Sequence, residues 1–105
     1  MIRDEDIEKH LGALEDLGAQ AATARADADF QADFLKTVYA REYLASDLPR
    51  AADREAAAYA SPRYAEALEE KRRAVALAER LRHERAWRER VIDAWQTMSA
   101  NRRRV

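Results

Sequence analysis

Cysteine is absent from this 105-residue chain, so disulfides and cysteine-ligated zinc are excluded. Glycine and proline occur only twice each, which leaves few places for turns. Aromatic and β-branched residues are sparse and nowhere alternate over the length of a strand, so no sheet is expected. No apolar run approaches the ~18 residues that a membrane helix needs. The opening Met1-Ile2-Arg3-Asp4-Glu5-Asp6 is acidic and lacks the apolar stretch of a secretory signal, which points to a cytoplasmic location in a bacterial cell.

What remains is charge and alanine. Charged residues make up 37% of the chain, and alanine dominates the 48% that is hydrophobic. Alanine is the best helix former but adds little volume to a core. This composition predicts an all-α fold, a long antiparallel helical hairpin of coiled-coil character in a single domain. The net charge of −1 conceals an asymmetry. Residues 1–60 carry 7 Lys/Arg against 13 Asp/Glu, a net of −6, and residues 61–105 carry 12 against 7, a net of +5. Complementary flanks of two antiparallel helices explain this most simply; a basic half facing an external anion is the sharper alternative.

Helix signals divide the chain in three. A first helix is expected over about 4–45, its acidic first turn matched to the helix dipole. Ile7, Leu11, Leu14 and Leu17 recur at helical spacing, and Phe30, Phe34, Leu35, Val38 and Tyr39 form a heavier face beyond an alanine-rich run. Gly18 marks a candidate break. Ser46-Asp47-Leu48-Pro49 signals a stop, with Pro49 placed to open a short helix over about 50–60, Ala51 to Tyr59 at its centre. Ser61-Pro62 repeats the device, with Ser61 as N-cap of a last helix over about 62–101 and a frayed end at Asn101–Val105. In that helix Leu77, Leu81, Glu84, Arg88, Val91, Trp95 and Met98 follow a 4-3-4-3-4-3 spacing that predicts the packing seam. Two such helices bury little surface, so a homodimer or higher oligomer, or a protein partner, is expected to complete the core.

No catalytic apparatus is recognisable, and an enzyme is not expected. His10 and His83 each stand alone, outside metal-ligand spacings, and read as surface histidines. The many carboxylates lack the ExxH pattern of metal-binding bundles, and no glycine-rich loop could hold a phosphate. No cofactor or metal is therefore expected. Two sets of residues remain as interaction candidates. Trp87, Trp95, Met98 and Arg102 combine residue types enriched at protein-binding hot spots, although Trp87 and Trp95 could equally serve the core. Arg73, Arg80, Arg85 and Arg88, with Trp87 among them, could contact phosphates and stack a base of single-stranded nucleic acid. Interleaved Glu79, Glu84 and Glu89 and a pI of about 6.1 weaken that second set.

Two segments carry a family resemblance. Arg54-Glu55-Ala56-Ala57-Ala58-Tyr59-Ala60-Ser61-Pro62-Arg63-Tyr64 precedes an Ala/Glu/Arg helix that ends in Val91-Ile92-Asp93-Ala94-Trp95-Gln96-Thr97-Met98-Ser99-Ala100-Asn101-Arg102. Over roughly residues 30–105 this resembles a family of small helical phage and prophage early-region proteins. Gln96 departs from the arginine often found after the tryptophan in that family. The resemblance implies an accessory role beside recombination or single-strand-annealing functions and carries no catalytic residues. The resulting expectation is a phage-derived accessory protein that works by protein–protein contact, modulating DNA recombination or replication or a host defence complex. Direct binding of single-stranded nucleic acid and a purely structural oligomeric subunit are the alternatives.

Overall fold

A computed structural model describes residues 3–104, with the Arg104 side chain left out of the account; Met1, Ile2 and Val105, parts of the expected leaderless start and frayed end, lie outside it. Three helices follow in order: α1 (Asp4–Ala45), α2 (Ala51–Tyr59) and α3 (Pro62–Arg104). The fold is all-α, a helical hairpin with a short helix at its turn. α1 runs unbroken through Gly18, where no unusual backbone angle is needed. α3 remains helical through Asn101–Arg104, three residues past the expected end.

The helix ends are built locally. Arg3 accepts the first backbone bonds of α1 through its carbonyl, and Asp4, Glu5 and Asp6 place negative charge on the first turn. The link to α2 is fastened by Arg54, which reaches back from α2 to donate from Nε to the Leu48 carbonyl at 2.6 Å and from Nη2 to the Pro49 carbonyl at 3.2 Å. Pro49 stands before the helix rather than in its first turn, since Arg50 occupies the N-cap position in extended conformation. Ser61 caps α3 as its sequence predicts, its Oγ accepting from the Tyr64 amide at 3.0 Å with Pro62 first in the helix.

The chain forms two compact units, one of residues 1–23 with 79–105, the other of residues 24–78. In the first, α1 and α3 run antiparallel, as the His10–Arg88 and Asp4–Trp95 contacts require. Ile7 and Leu17 of α1 and Leu81 and Ile92 of α3 are buried there, with His10, Leu14, Arg88 and Trp95 partly buried between them. Leu11, half exposed, lies outside this seam.

In the second unit the buried positions are mostly alanine: Ala24, Ala28, Ala58, Ala67 and Ala74, joined by Leu35 and Val38. Leu35, Val38 and Ala67 form the core, with Tyr64 and Leu68 packed on it. Small side chains permit close approach of the helices, and the 3-4 spacing of a coiled coil selects the positions. That spacing corrects the expected seam of α3. Leu81, Arg88 and Trp95 lie in it, but Leu77 and Met98 are 39% and 37% exposed, and the adjacent Ala78 and Ser99 turn inward in their place. Phe30 and Phe34 are likewise on the surface, not in the core.

All four tyrosines of the chain gather where α2 meets α1 and α3. Tyr39 is central, its ring centroid 4.9 Å from Tyr59, 6.2 Å from Tyr43 and 6.4 Å from Tyr64. Tyr59 meets Tyr64 edge-on at 5.3 Å, and the Arg54 guanidinium lies 5.9 Å from the Tyr43 ring. Each aromatic pair contributes about 0.5–1.5 kcal/mol beyond its burial, which compensates for a core of small residues. Burial, and then the Glu55 carboxylate, hold the Tyr39 phenol above its ordinary value of 10.0. The folded state thus binds more protons than the unfolded state above pH ~10, and stability must fall as pH rises through that window. Thermal melts between pH 9 and 11 should show this loss in the native sequence and a shallower one in Tyr39→Phe; equal slopes would remove Tyr39 as its source.

Candidate protein-interaction site

α3 brings a positive charge into the seam of the first unit. Arg88 follows Leu81 by seven residues, so the helical repeat returns it to the same line of contact with α1. Its side chain is only 23% exposed. Nη1 lies 3.0 Å from Nδ1 of His10, and Nη2 donates to Glu84 Oε1 at 3.4 Å. Arginine has no acceptor, so any hydrogen bond in this contact is donated by Arg88 and accepted by His10 Nδ1. Nε of Arg88 is buried without a partner. His10 is therefore part of the helix interface and not a surface residue.

This polar contact holds Trp87. The Arg88 guanidinium lies 5.6 Å from the indole, and the His10 ring meets it edge-on at 5.5 Å. Cation–π attraction of this kind contributes about 0.5–1 kcal/mol at exposed sites. The indole is fixed on two sides yet remains 51% exposed. Trp87, Val91, Ala94 and Met98 follow at intervals of four, three and four, so they share one face of α3. Val91 is half-buried, and the other three are exposed. Among the described residues, Arg80 and Arg90 on the same helix make no ion pair, which leaves two unengaged cations one or two turns from the indole.

The structure divides the residues singled out from sequence. Trp87 and Met98 belong to the exposed stripe. Trp95 lies in the seam, half-buried, and its Nε1 donates to Asp4 Oδ1 at 3.0 Å. Arg102 is exposed on α3, seven residues beyond Trp95. Of the four arginines considered for nucleic acid, three are engaged. Arg73 pairs with Glu70 at 3.0 Å and Glu69 at 3.8 Å, Arg85 with Glu89 at 3.2 Å, and Arg88 with Glu84 and His10. Only Arg80 of the four is unpaired, and Arg73 belongs to the second unit. Reading residue types alone placed His10 on the surface; the three-four spacing of Ile7, His10, Leu14 and Leu17 is the signal that puts it in the seam.

Among the described residues no three His, Asp or Glu side chains converge on a metal position, and no helix is long and apolar enough to cross a membrane. A partly buried arginine with an unpartnered Nε is a poor source of stability. Arg88→Leu should accordingly leave the unfolding free energy within about 1 kcal/mol of the native value, or raise it, in urea denaturation. A loss beyond ~2 kcal/mol would show that the His10–Arg88–Glu84 contact is a net stabiliser. Compared with known proteins, the chain matches no family model, no curated protein and no solved structure, so its function is read from this geometry.

Proposed function

We propose that this chain is a non-enzymatic helical accessory protein that acts by protein–protein contact through the face of α3 bearing Trp87, Val91, Ala94 and Met98. The observation that carries this reading is Trp87, a large apolar side chain held in place by Arg88 and His10 while half of it faces solvent. An indole already fixed loses little freedom on binding, and tryptophan and arginine are the residues that most often dominate binding energy. Residues 79–105 carry eight arginines against Glu79, Glu84, Glu89 and Asp93, a net of +4. The partner surface that fits is an apolar pocket for the indole with an acidic rim. The resemblance to small phage and prophage proteins supports a partner in recombination or replication machinery, or in a host defence complex, within the bacterial cytoplasm.

A second reading, direct binding of single-stranded nucleic acid, draws on Arg80 and Arg90, which stand unpaired on the helix that presents Trp87. Both readings meet in one set of variants. Trp87→Ala and Met98→Ser are expected to keep native helicity, because neither side chain is buried, and to abolish capture of a partner from bacterial lysate. Trp95→Ala is the wrong probe, since it removes a seam residue. Fluorescence anisotropy with single-stranded oligonucleotides should show no binding; affinity that collapses with salt and is lost in Arg80→Gln/Arg90→Gln would replace the protein reading with the nucleic-acid one. Capture unchanged by Trp87→Ala would dismiss this face.

A further inference from the structure

The second unit places both phenylalanines of the chain outside its core. Phe30 and Phe34 stack at 5.9 Å with ring planes 15° apart, and they are 59% and 38% exposed. Phe34 also lines a groove of about 340 Å³ between α1 and α3, floored by Val38 and Ala67. Its rims are Arg41 and Glu42 from α1 and Arg63, Glu66 and Glu70 from α3, with Arg63 and Glu42 3.9 Å apart. Leu77, 39% exposed, follows Glu70 by seven residues and so extends the same flank of α3. The result is an apolar channel with an aromatic pair at its edge.

We propose that this flank is the contact between two copies of the chain, related by a two-fold axis, with the Phe30 ring of each copy entering the groove beside Phe34 of the other. Two observations select a second copy as occupant. A two-fold interface must be complementary to itself. Rims that carry Arg41 and Arg63 together with Glu42, Glu66 and Glu70 satisfy this, because each arginine of one copy can meet a glutamate of the other. A polyanion or a uniformly acidic partner would instead face three carboxylates. The second observation is the poverty of the core. Among the described residues no large side chain is fully buried, and the core is Leu35, Val38 and Ala67. A small domain so built gains most by covering its exposed phenyl rings with apolar surface of its own kind. This inference does not depend on the Trp87 reading, and either can fail alone.

Sedimentation equilibrium and single-cysteine cross-linking test it, the latter clean because the chain has no cysteine of its own. The native chain should be dimeric at micromolar concentration. Phe30→Lys should weaken the dimer at least ~10-fold while leaving helical circular dichroism unchanged, since the ring it removes is exposed. A mixture of Phe30→Cys and Phe34→Cys chains should form the mixed disulfide on mild oxidation much faster than a mixture of Lys36→Cys and Phe34→Cys chains, because Lys36 is exposed away from the groove lining. A native monomer, a dimer indifferent to Phe30→Lys, an assembly larger than two copies, or equal cross-linking of positions 30 and 36 to position 34 would each overturn the proposal. Should Phe30→Lys fail to fold, the cross-linking rates decide alone.

Discussion

The close approach of α1 and α3 is the constraint on which the other features depend. In each unit the positions between the helices recur at intervals of three and four, and in residues 24–78 they are filled chiefly by alanine. A seam of small side chains brings backbones near one another and leaves no room for large ones. Leu77, Phe30 and Phe34 of that unit accordingly stand on its flanks, and in the other unit Trp87 and Met98 lie outside the line of Leu81 and Ile92. The hydrophobic material excluded from the interior becomes the material available for recognition. Structure and proposed function thus share one cause: a narrow interface that consumes little of the apolar surface the sequence carries.

Two devices compensate for that thin interior. Where α2 joins the longer helices, four tyrosine rings supply contact area that alanine cannot, and Arg54 ties the link between α1 and α2 to the same cluster. In the unit of the chain ends, the repeat places Arg88 opposite His10, where a leucine would pack more favourably. A guanidinium that is partly buried, with one nitrogen lacking any partner, costs stability. Its position makes sense through what it holds, since the cation and the imidazole together fix the exposed indole of Trp87.

Much of the architecture was legible in the residues. Composition predicts helices alone; Ser61-Pro62 marks the start of α3 to the residue, and the Ser46–Pro49 segment marks the end of α1. The seam was harder to read. Choosing the most hydrophobic residue at each turn selects Leu77 over Ala78, Met98 over Ser99 and Leu11 over His10, because hydrophobicity scales reward volume and close packing rewards its absence. The heavier face read over Phe30 to Tyr39 is divided in the same way, with Leu35 and Val38 buried and Phe30 and Phe34 exposed. Among the partner-binding candidates, residue type could not separate Trp87, which is exposed, from Trp95, which is half-buried, and the heptad-like spacing placed Met98 in a seam that it does not enter. The two tryptophans' separation of eight residues leaves them roughly 80° apart around the helix, and that rotation decides which faces α1. Ion pairing was legible only in part: Glu84 and Arg88 are spaced for each other, whereas the contact with His10 spans 78 positions of sequence.

The central claim is that α3 turns Trp95 into the seam and Trp87 out of it as a fixed, exposed anchor. Acrylamide quenching of two single-tryptophan variants tests this directly, Trp95→Phe reporting on Trp87 and Trp87→Phe on Trp95. The account predicts ready quenching and solvent-like emission for Trp87, with marked protection for Trp95. Equal protection of the two, or the reverse order, would contradict it, because the seam would then run along a different line of α3.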